Sequence, residues 1–363
     1  MKERLVPLDS LRGIAAIGIA FFWHLQHFGY TQEIASQQPY YSIFKWFYSY
    51  GWNLVDLFFV VSGFVMMYVY AEKIIHKQLK FDDYIILRLS RLYPLHIIAL
   101  LLVTFFQLFR VSLHFSPFIY ENNDVYHFLL NIFLLHGGFF ERGFSFNGPS
   151  WVITSELVAY IIFFFIISKI KSKYIAFFGM IILGIFILKC RLYLPFFNPN
   201  IARGLAGFFI GCITYKLNDV FFQSKTRKNF LIVSGLILLF ISIIAIDLQT
   251  NFTTFQLGEY ISLPILVYPL LIMVVLNVSF LNKSMSLAPL IFFGHISYSI
   301  FLLHFPIQIL IDTATKYFGL TSYSYAIFYL FIAMTITSSW FTYKYVEAPL
   351  MLFLRRRLLA RQV

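Results

Sequence analysis

The sequence predicts an all-α polytopic membrane protein, a bundle of about ten transmembrane helices with both termini in the cytoplasm. Of its 363 residues, 60% are hydrophobic and only 12% are charged, whereas a soluble domain carries about 25% charged residues. Long apolar runs recur along the whole chain, and each approaches the roughly 20 residues that cross a bilayer. These observations exclude a soluble globular protein.

Ten apolar segments have the length and character of membrane spans. They occupy residues 11–29, 53–71, 93–111, 151–168, 174–190, 202–217, 229–247, 260–280, 290–311 and 324–345. A shorter apolar stretch, 125–136, predicts an interfacial or re-entrant helix. Because no linker rich in Pro, Gly or Ser and no repeat interrupts the series, we expect residues 1–363 to form a single integral-membrane domain.

Basic residues set the expected orientation. With the N-terminus in the cytoplasm, most of the 28 lysines and arginines fall on the cytoplasmic side, as the positive-inside rule requires. The formal charge of +12 then reflects loops that face anionic lipid, so we expect no nucleic-acid partner. Lys2 and Arg4 precede the first apolar run as in a signal peptide. No small-residue cleavage site follows that run, so we expect a retained first span.

Four ionisable residues fall at one depth under this topology. An α-helix rises about 1.5 Å per residue, so His24 lies roughly 18 Å beyond Arg12, towards the outer face. Asp56 and Glu156 stand near the outer ends of the second and fourth spans, and His304 stands well along the ninth. Ionisable groups inside a membrane are costly and usually functional. A carboxylate beside a histidine would make that imidazole a general base.

These residues also have structural interpretations. A single intramembrane histidine can be a packing group, and we assign that role to His27. Asp56 and Glu156 could be structural partners of Arg110, of Arg142 or of a backbone donor. An acid within a span is costly unless it is paired or faces water. We therefore favour a functional role for both carboxylates.

Two arginines stand at the cytoplasmic mouth of the third span. Arg88 and Arg91 are three residues apart and share one helical face. Paired guanidinium groups suit phosphate recognition, although anchoring in anionic lipid produces the same pattern. A base in the outer half and a phosphate site at the inner mouth together predict an anionic cytoplasmic donor. Its reactive end would reach into the membrane.

Several segments resemble, in order, the motifs of the membrane acyltransferase-3 family. The segments are LDSLRGIAA at 8–16, GWNLVDLFFVVSGF at 51–64, RLSRLYP at 88–94, NGPSWVITSE at 147–156, GFFIG at 207–211, ISYSIFLLH at 296–304 and YVEAP at 345–349. The match at 207–211 is the weakest. Each motif alone carries little information, but their common order across nearly the whole chain is specific.

The resemblance implies transfer of an acyl group, usually acetyl from acetyl-CoA, to a carbohydrate hydroxyl in the bacterial inner membrane. Acceptors in such proteins include lipopolysaccharide O-antigen, exopolysaccharide and peptidoglycan. The implied partners are therefore a surface or lipid-linked glycan and membrane lipid. The chain resembles the stand-alone form of the family, without a C-terminal esterase-like domain. The implied site residues are Arg12 and His24 as the essential first-helix pair, Asp56 as an essential acid, Glu156 as a site carboxylate, and Arg88 and Arg91 as contacts to the CoA phosphates.

The spacing of the first-helix pair departs from the family pattern. Eleven residues separate Arg12 from His24, one more than is typical of the family. At roughly 100° per residue, this addition turns His24 from about 20° to about 120° away from Arg12 in a regular helix. We expect a one-residue bulge near Gly18 to restore the register. In a regular helix, His27 would be the alternative base.

Other functions stay open at this point. A transporter or flippase of a lipid-linked sugar would also place polar groups in the membrane, although the sequence shows neither inverted repeats nor paired broken helices. Another acyl donor, such as succinyl-CoA, would leave the same motifs, and direct transfer and relay through an acylated histidine both fit. Cys190 and Cys212 lack metal-ligand spacing, so we expect no metal.

The sequence does not identify the acceptor. Its contacts are expected from the outer segment 112–150 and the start of the fourth span. Tyr120, Tyr126 and Trp151 there could stack on a sugar. Aromatic side chains also gather at membrane interfaces without any ligand. We favour that interfacial role for most of them.

Overall fold

The computed structural model describes residues 4–27, 37–138, 140–141, 143–221, 235, 263–320 and 325–353. The fold is 83% helix, and no strand occurs among the described residues. The α-helices are α1 Val6–Gly18, α2 Tyr41–Tyr50, α3 Leu54–Ile75, α4 Phe81–Ser112, α5 Val125–Ile132, α6 Trp151–Lys169, α7 Lys173–Cys190, α8 Pro199–Phe221, α9 Tyr268–Asn277, α10 Ser279–Met285, α11 Ala288–Tyr317 and α12 Tyr325–Thr342.

Within these residues, seven helical segments are long and apolar enough to cross a membrane, and a bent pair raises the number to eight. The structure thus confirms a polytopic helical protein, while the count of ten and the side of each terminus stay predictions. The expected span at 229–247 lies outside the described residues. Helix α8 covers the expected span at 202–217 but is not among the seven.

The expected span at 260–280 is not one straight helix. Residues Leu263–Asn277 and Ser279–Met285 meet at an angle of 95°. Val278 lies at the break with extended dihedrals, φ −88° and ψ 112°. The side chain of Asn282 donates to the carbonyl of Leu276 across the bend, at 3.2 Å. This bond partly replaces the helical bonds that the break removes.

The chain folds into two compact units. Unit 1 comprises Met1–Gly13, Val55–Lys80 and Ser155–Gly294, and unit 2 comprises Ile14–Leu54, Phe81–Thr154 and His295–Val363. Helices α1 and α11 each begin in unit 1 and continue into unit 2.

The predicted interfacial segment at 125–136 forms the short helix α5, which exposes apolar side chains on one flank.

In unit 1, glycines allow α3 and α8 to pack backbone against backbone. A Cβ atom on Gly63 would come within 1.8 Å of the Phe208 carbonyl oxygen, and one on Gly211 within 2.0 Å of the Val60 oxygen. Small residues at such crossings let membrane helices approach closely. Gly211 belongs to the weakly matched GFFIG segment, so its glycines have a packing function.

In unit 2, a buried ion pair joins α4 to α11. Nη1 of Arg110 donates to Oδ2 of Asp312 at 2.7 Å and to Oγ1 of Thr313 at 3.1 Å. Both charged side chains are almost completely buried. The suggested pairing of Arg110 with Asp56 or Glu156 is therefore wrong, because Asp312 supplies the counter-charge. Arg142, the other suggested partner, lies outside the described residues.

Substitution of Gly63 by Ala should destabilise unit 1 by about 1–3 kcal/mol, because the added methyl group overpacks a backbone contact. Gly179 of α7 is the matched control, since a Cβ atom there meets nothing within 4 Å. Gly179→Ala should be neutral or stabilising by about 0.5–1 kcal/mol. Unfolding of the detergent-solubilised variants measures both effects. Equal stability of the two variants would contradict the packing interpretation.

Replacement of Asp312 by Leu should cost about 3–5 kcal/mol, because it leaves the buried Arg110 charge uncompensated. The double variant Arg110→Met/Asp312→Leu should recover most of this loss. Lys316 is the control partner of the same carboxylate: its ammonium lies 3.2 Å from Asp312 but is half exposed. Lys316→Met should change stability by less than about 1 kcal/mol. A double variant no more stable than Asp312→Leu would contradict this account of unit 2.

Candidate active site

A π-helical turn interrupts the first helix where the sequence predicts a bulge. Helix α1 ends at Gly18, and Ile19–Trp23 form a π-helix. The backbone amide of His24 donates to the carbonyl of Ile19, five residues earlier. Such a turn adds one residue to an α-helix. The bulge near Gly18 is confirmed, and His24 follows it directly.

Close packing around two glycines surrounds this π-turn. A Cβ atom on Gly18 would lie 2.5 Å from Cδ1 of Leu54, and one on Gly51 would lie 2.9 Å from Cβ of Trp23. Gly51 opens the 3₁₀ turn Gly51–Asn53 that precedes α3. The start of the second motif therefore packs against the bulge in the first helix.

The imidazole of His24 pairs with that of His304. Nδ1 of His24 lies 2.6 Å from Nε2 of His304, and the two rings are nearly parallel, with 7° between their planes. His304 is fully buried on α11. Nδ1 of His304 lies 3.1 Å from the carbonyl oxygen of Ile300, one turn earlier. The side chain of His27, the alternative base, lies outside the described part of the chain.

These contacts select one tautomer of each neutral ring. A carbonyl oxygen only accepts, so Nδ1 of His304 must carry the proton that faces Ile300. Nε2 of His304 is then an acceptor, and Nδ1 of His24 must donate to it. The proton of neutral His24 is therefore on Nδ1. Its Nε2 bears a lone pair, as a general base or nucleophile requires.

Two buried amides hold the main chain on either side of this pair. Pro306 has no N–H group, so the Leu302 carbonyl lacks its usual helical donor. Nδ2 of Asn147 donates to that carbonyl at 3.0 Å. Nε2 of Gln308 donates to the main-chain carbonyl of His24 at 2.7 Å. The interrupted helix and the end of the π-turn are thus fixed by side chains.

A model of the acyltransferase-3 family, described as an acyltransferase domain, matches residues 6–344 of the chain. The chain belongs to this family. Protein 2 in the picA locus of Rhizobium radiobacter is 34% identical over 101 residues, which are 28% of this chain and 44% of that relative. The chain thus aligns with less than half of the relative's length. No solved structure matches.

Three predicted site residues of this family member lie in unit 1. Arg12 lies 3.6 Å from the carboxylate of Asp9, and Glu156 is half-buried on α6. The carboxylate of Asp56 is fully buried and accepts two hydrogen bonds from Arg203, at 3.0 and 3.1 Å. Asp56 is thus engaged by an arginine, and the observed partner of His24 is His304.

The two predicted phosphate ligands lie on α4, in unit 2. Arg88 is buried and Arg91 is half-buried. The charge of Arg91 acts on Glu347 of the YVEAP segment, whose carboxylate accepts a hydrogen bond from Ser299 at 3.0 Å. Ser299 belongs to the segment that ends in His304. The segments that contain Ser299 and Glu347 therefore meet at Glu347, within electrostatic range of Arg91.

The aromatic residues expected to touch an acceptor are mostly packed into the protein. The ring of Tyr120 packs at a tilt of 31° against that of Phe305, with 5.3 Å between ring centroids, and burial raises the pKa of Tyr120. Trp151 is buried, whereas Tyr126 is half exposed. In the same segment, burial raises the pKa of Glu141 to about 8. Of the three aromatics, Tyr126 is the most accessible.

Sequence reasoning placed His304 at the same depth as His24 but did not select it as the partner of His24. Carboxylates are the usual partners of catalytic histidines, so Asp56 and Glu156 took precedence. Arg203 carried a usable signal, because an arginine at the start of an apolar run indicates a buried ion pair. Gln308 and Asn147 carry no such signal, because polar amides are common in loops and helix ends.

Substitution of His304 by Phe should lower the acyl-transfer rate by about 10²- to 10⁴-fold, the contribution of a positioned base. Phe keeps a ring but cannot accept the proton of His24 Nδ1. His304→Gln retains an acceptor and should lose less. Steady-state kinetics would measure the rate constants and the KM for the acyl donor, which should change little. Equal losses in both variants would show that His304 does not set the tautomer of His24.

Proposed function

We propose that this membrane acyltransferase transfers an acetyl group from cytoplasmic acetyl-CoA to a hydroxyl group of a surface or lipid-linked carbohydrate. Its place would be the bacterial inner membrane, with both termini in the cytoplasm. His24 is the base. The hydrogen-bonded series from Ile300 through His304 to His24 carries this proposal, because it gives Nε2 of His24 the lone pair that the reaction needs.

In the proposed transfer His24 alone takes up and returns the proton, so atoms and charges balance. Nε2 of His24 takes the proton of the acceptor hydroxyl while its oxygen attacks the thioester carbonyl. The carbon–sulfur bond then breaks as the ester forms, and the proton returns to the CoA thiolate. His304 stabilises the intermediate imidazolium, because its Nε2 continues to accept from Nδ1 of His24. Relay through an acetylated His24 uses the same lone pair.

The arginines of α4 support an anionic donor. Guanidinium groups bind phosphate through paired N–H donors and stay charged at every physiological pH. Arg91 has a buried acid nearby, Glu347, and we propose that this acid holds its guanidinium in place. In the proposed topology, Arg88 and Arg91 meet the phosphates of CoA at the cytoplasmic face. For Arg12, Asp56 and Glu156 we propose the roles carried over from the family.

Turnover of acetyl-CoA by the purified protein tests this function. His24→Ala should lower release of free CoA by about 10²-fold or more, without a change in acetyl-CoA affinity. Arg88→Gln and Arg91→Gln should instead raise the dissociation constant for acetyl-CoA. Isothermal titration and a thiol-release assay separate the two effects.

The matched controls make the same kinds of substitution at residues outside the proposed site. His76 and Lys77 lie beyond the last turn of α3, so His76→Ala and Lys77→Gln should leave turnover and affinity at wild-type values. Wild-type turnover by His24→Ala would contradict the assignment of the base. Wild-type affinity in both arginine variants would leave those residues as lipid anchors. A wild-type protein that neither binds nor cleaves acetyl-CoA would favour another donor, such as succinyl-CoA, or transport of a lipid-linked sugar.

A further inference from the structure

A cavity of about 360 Å³ lies in unit 2, between the last turns of α4, the start of α5 and the segment that joins them. Sites for small molecules have volumes of roughly 300–1,000 Å³ and mostly apolar walls, so this cavity is large enough for a ligand. Among the described residues, its lining includes neither His24 nor His304, nor any other predicted site residue. The cavity is therefore separate from the candidate active site.

The walls of the cavity are largely apolar, and part of them faces out of the protein. Leu108 and Val111 of α4 and Val125 of α5 line the cavity and are about half exposed or more. Phe128 and the buried Phe146 also line it. Because α4 is one of the segments long and apolar enough to cross a membrane, the exposed flank near its end lies close to the edge of the hydrocarbon layer. An alkyl chain from the bilayer can therefore reach the cavity.

Two amide side chains in the lining hold the shape of the cavity. The amide of Gln107 donates to the carbonyl of Phe118 at 3.0 Å and accepts from its N–H group at 2.9 Å. The amide of Asn123 donates to the carbonyl of Tyr120 at 2.6 Å and accepts from the N–H group of Phe146 at 2.9 Å. Both halves of each amide are thus engaged by the main chain, so these residues build the walls and do not select the ligand.

Two exposed carboxylates give the cavity its charge. They belong to Glu121 and Asp124, in the segment between α4 and α5. Oδ1 of Asp124 accepts from the main-chain amide of His127 at 2.9 Å and from its Nδ1 at 2.8 Å. The bond from the main-chain amide holds the pKa of the Asp124 carboxyl below its ordinary value. No basic side chain occurs among the described residues of the lining, so the site is anionic.

Charge and hydrophobicity together select the ligand. The apolar walls suit an alkyl chain, because burial of apolar surface is favourable. Two carboxylates repel a net negative charge, which disfavours CoA and a lipid-linked sugar phosphate. An ammonium group would instead donate charged hydrogen bonds to Glu121 and Asp124. The combination fits an amphiphile that has an alkyl chain and an ammonium head.

We propose that this cavity binds a membrane lipid with an ammonium headgroup, such as phosphatidylethanolamine. An alkyl chain of the lipid lies against Leu108, Val111 and Phe128, and its ammonium group donates to Glu121 and Asp124. The site does not take part in acyl transfer, so the proposal is independent of the proposed function.

Lipid binding to the delipidated full-length protein, measured by native mass spectrometry, tests the proposal. Phosphatidylethanolamine has an ammonium group and no net charge, whereas phosphatidylglycerol with the same chains lacks the ammonium and is anionic. The wild-type protein should bind the first about fivefold more tightly, as two ion pairs at an exposed site allow. Glu121→Gln/Asp124→Asn should reduce this preference to less than about twofold. Asn at position 124 still caps α5.

A second double variant controls for net charge. Glu72→Gln/Asp219→Asn removes two exposed carboxylates from α3 and α8, which changes the net charge by the same amount. This variant should keep the wild-type preference. An equal loss of preference in both double variants would show an effect of overall charge and overturn the proposal. Because the preference is a ratio, partial loss of folded protein does not alter it.

The apolar wall has its own test. Leu108→Trp should weaken binding of both lipids, because the larger ring takes the place of the alkyl chain. Phe105→Trp, at an exposed position of α4 outside the lining, should not. Free ethanolamine should not displace the lipid, since it has no alkyl chain, and displacement would indicate a site for soluble amines instead. Equal affinity of the wild-type protein for the two lipids, or a preference that persists in Glu121→Gln/Asp124→Asn, would overturn the proposal.

Discussion

The hydrogen bond between Nδ1 of His24 and Nε2 of His304 is the interaction on which the candidate site depends. It joins two helices that lie 280 residues apart in the chain. The bond has a direction because the Ile300 carbonyl fixes the proton of His304. A main-chain oxygen thus determines, through one ring, the protonation state of the second ring. No carboxylate is required for that effect, and the histidine keeps the character of a base in an apolar bundle.

The surrounding architecture satisfies one constraint, which is that polar groups inside an apolar bundle need partners. Arg110 has Asp312, Asp56 has Arg203, and the carbonyl freed by Pro306 has Asn147. These pairs also hold the helices in register. Asp312 lies two turns beyond His304 on α11, so its bond to α4 fixes the height of that helix.

Much of this organisation follows from sequence. Apolar runs predict most of the helices, because about 20 apolar residues suffice to define a span. The extra residue after Arg12 predicts the π-turn, since each added residue rotates a regular helix by a fixed angle. The motif residues likewise predict the family, which the match over residues 6–344 shows.

The pairing of the side chains does not follow from sequence. Depth along a helix gives one coordinate, whereas a hydrogen bond also depends on rotation and on the position of the neighbouring helix. His24 had three candidate partners at one depth, and sequence could not choose among them. The bend at Val278 and the choice of Asn147 as the donor to the carbonyl freed by Pro306 depend on tertiary packing in the same way.

The protonation state of His24 is the central claim, and ¹⁵N NMR of histidine-labelled protein measures it directly. Protonated and unprotonated ring nitrogens differ widely in chemical shift, and the His24 signals are those absent from His24→Ala. At neutral pH and in the absence of substrate, Nδ1 of His24 should carry the proton and Nε2 should carry none. A proton on Nε2 with none on Nδ1 would contradict the account.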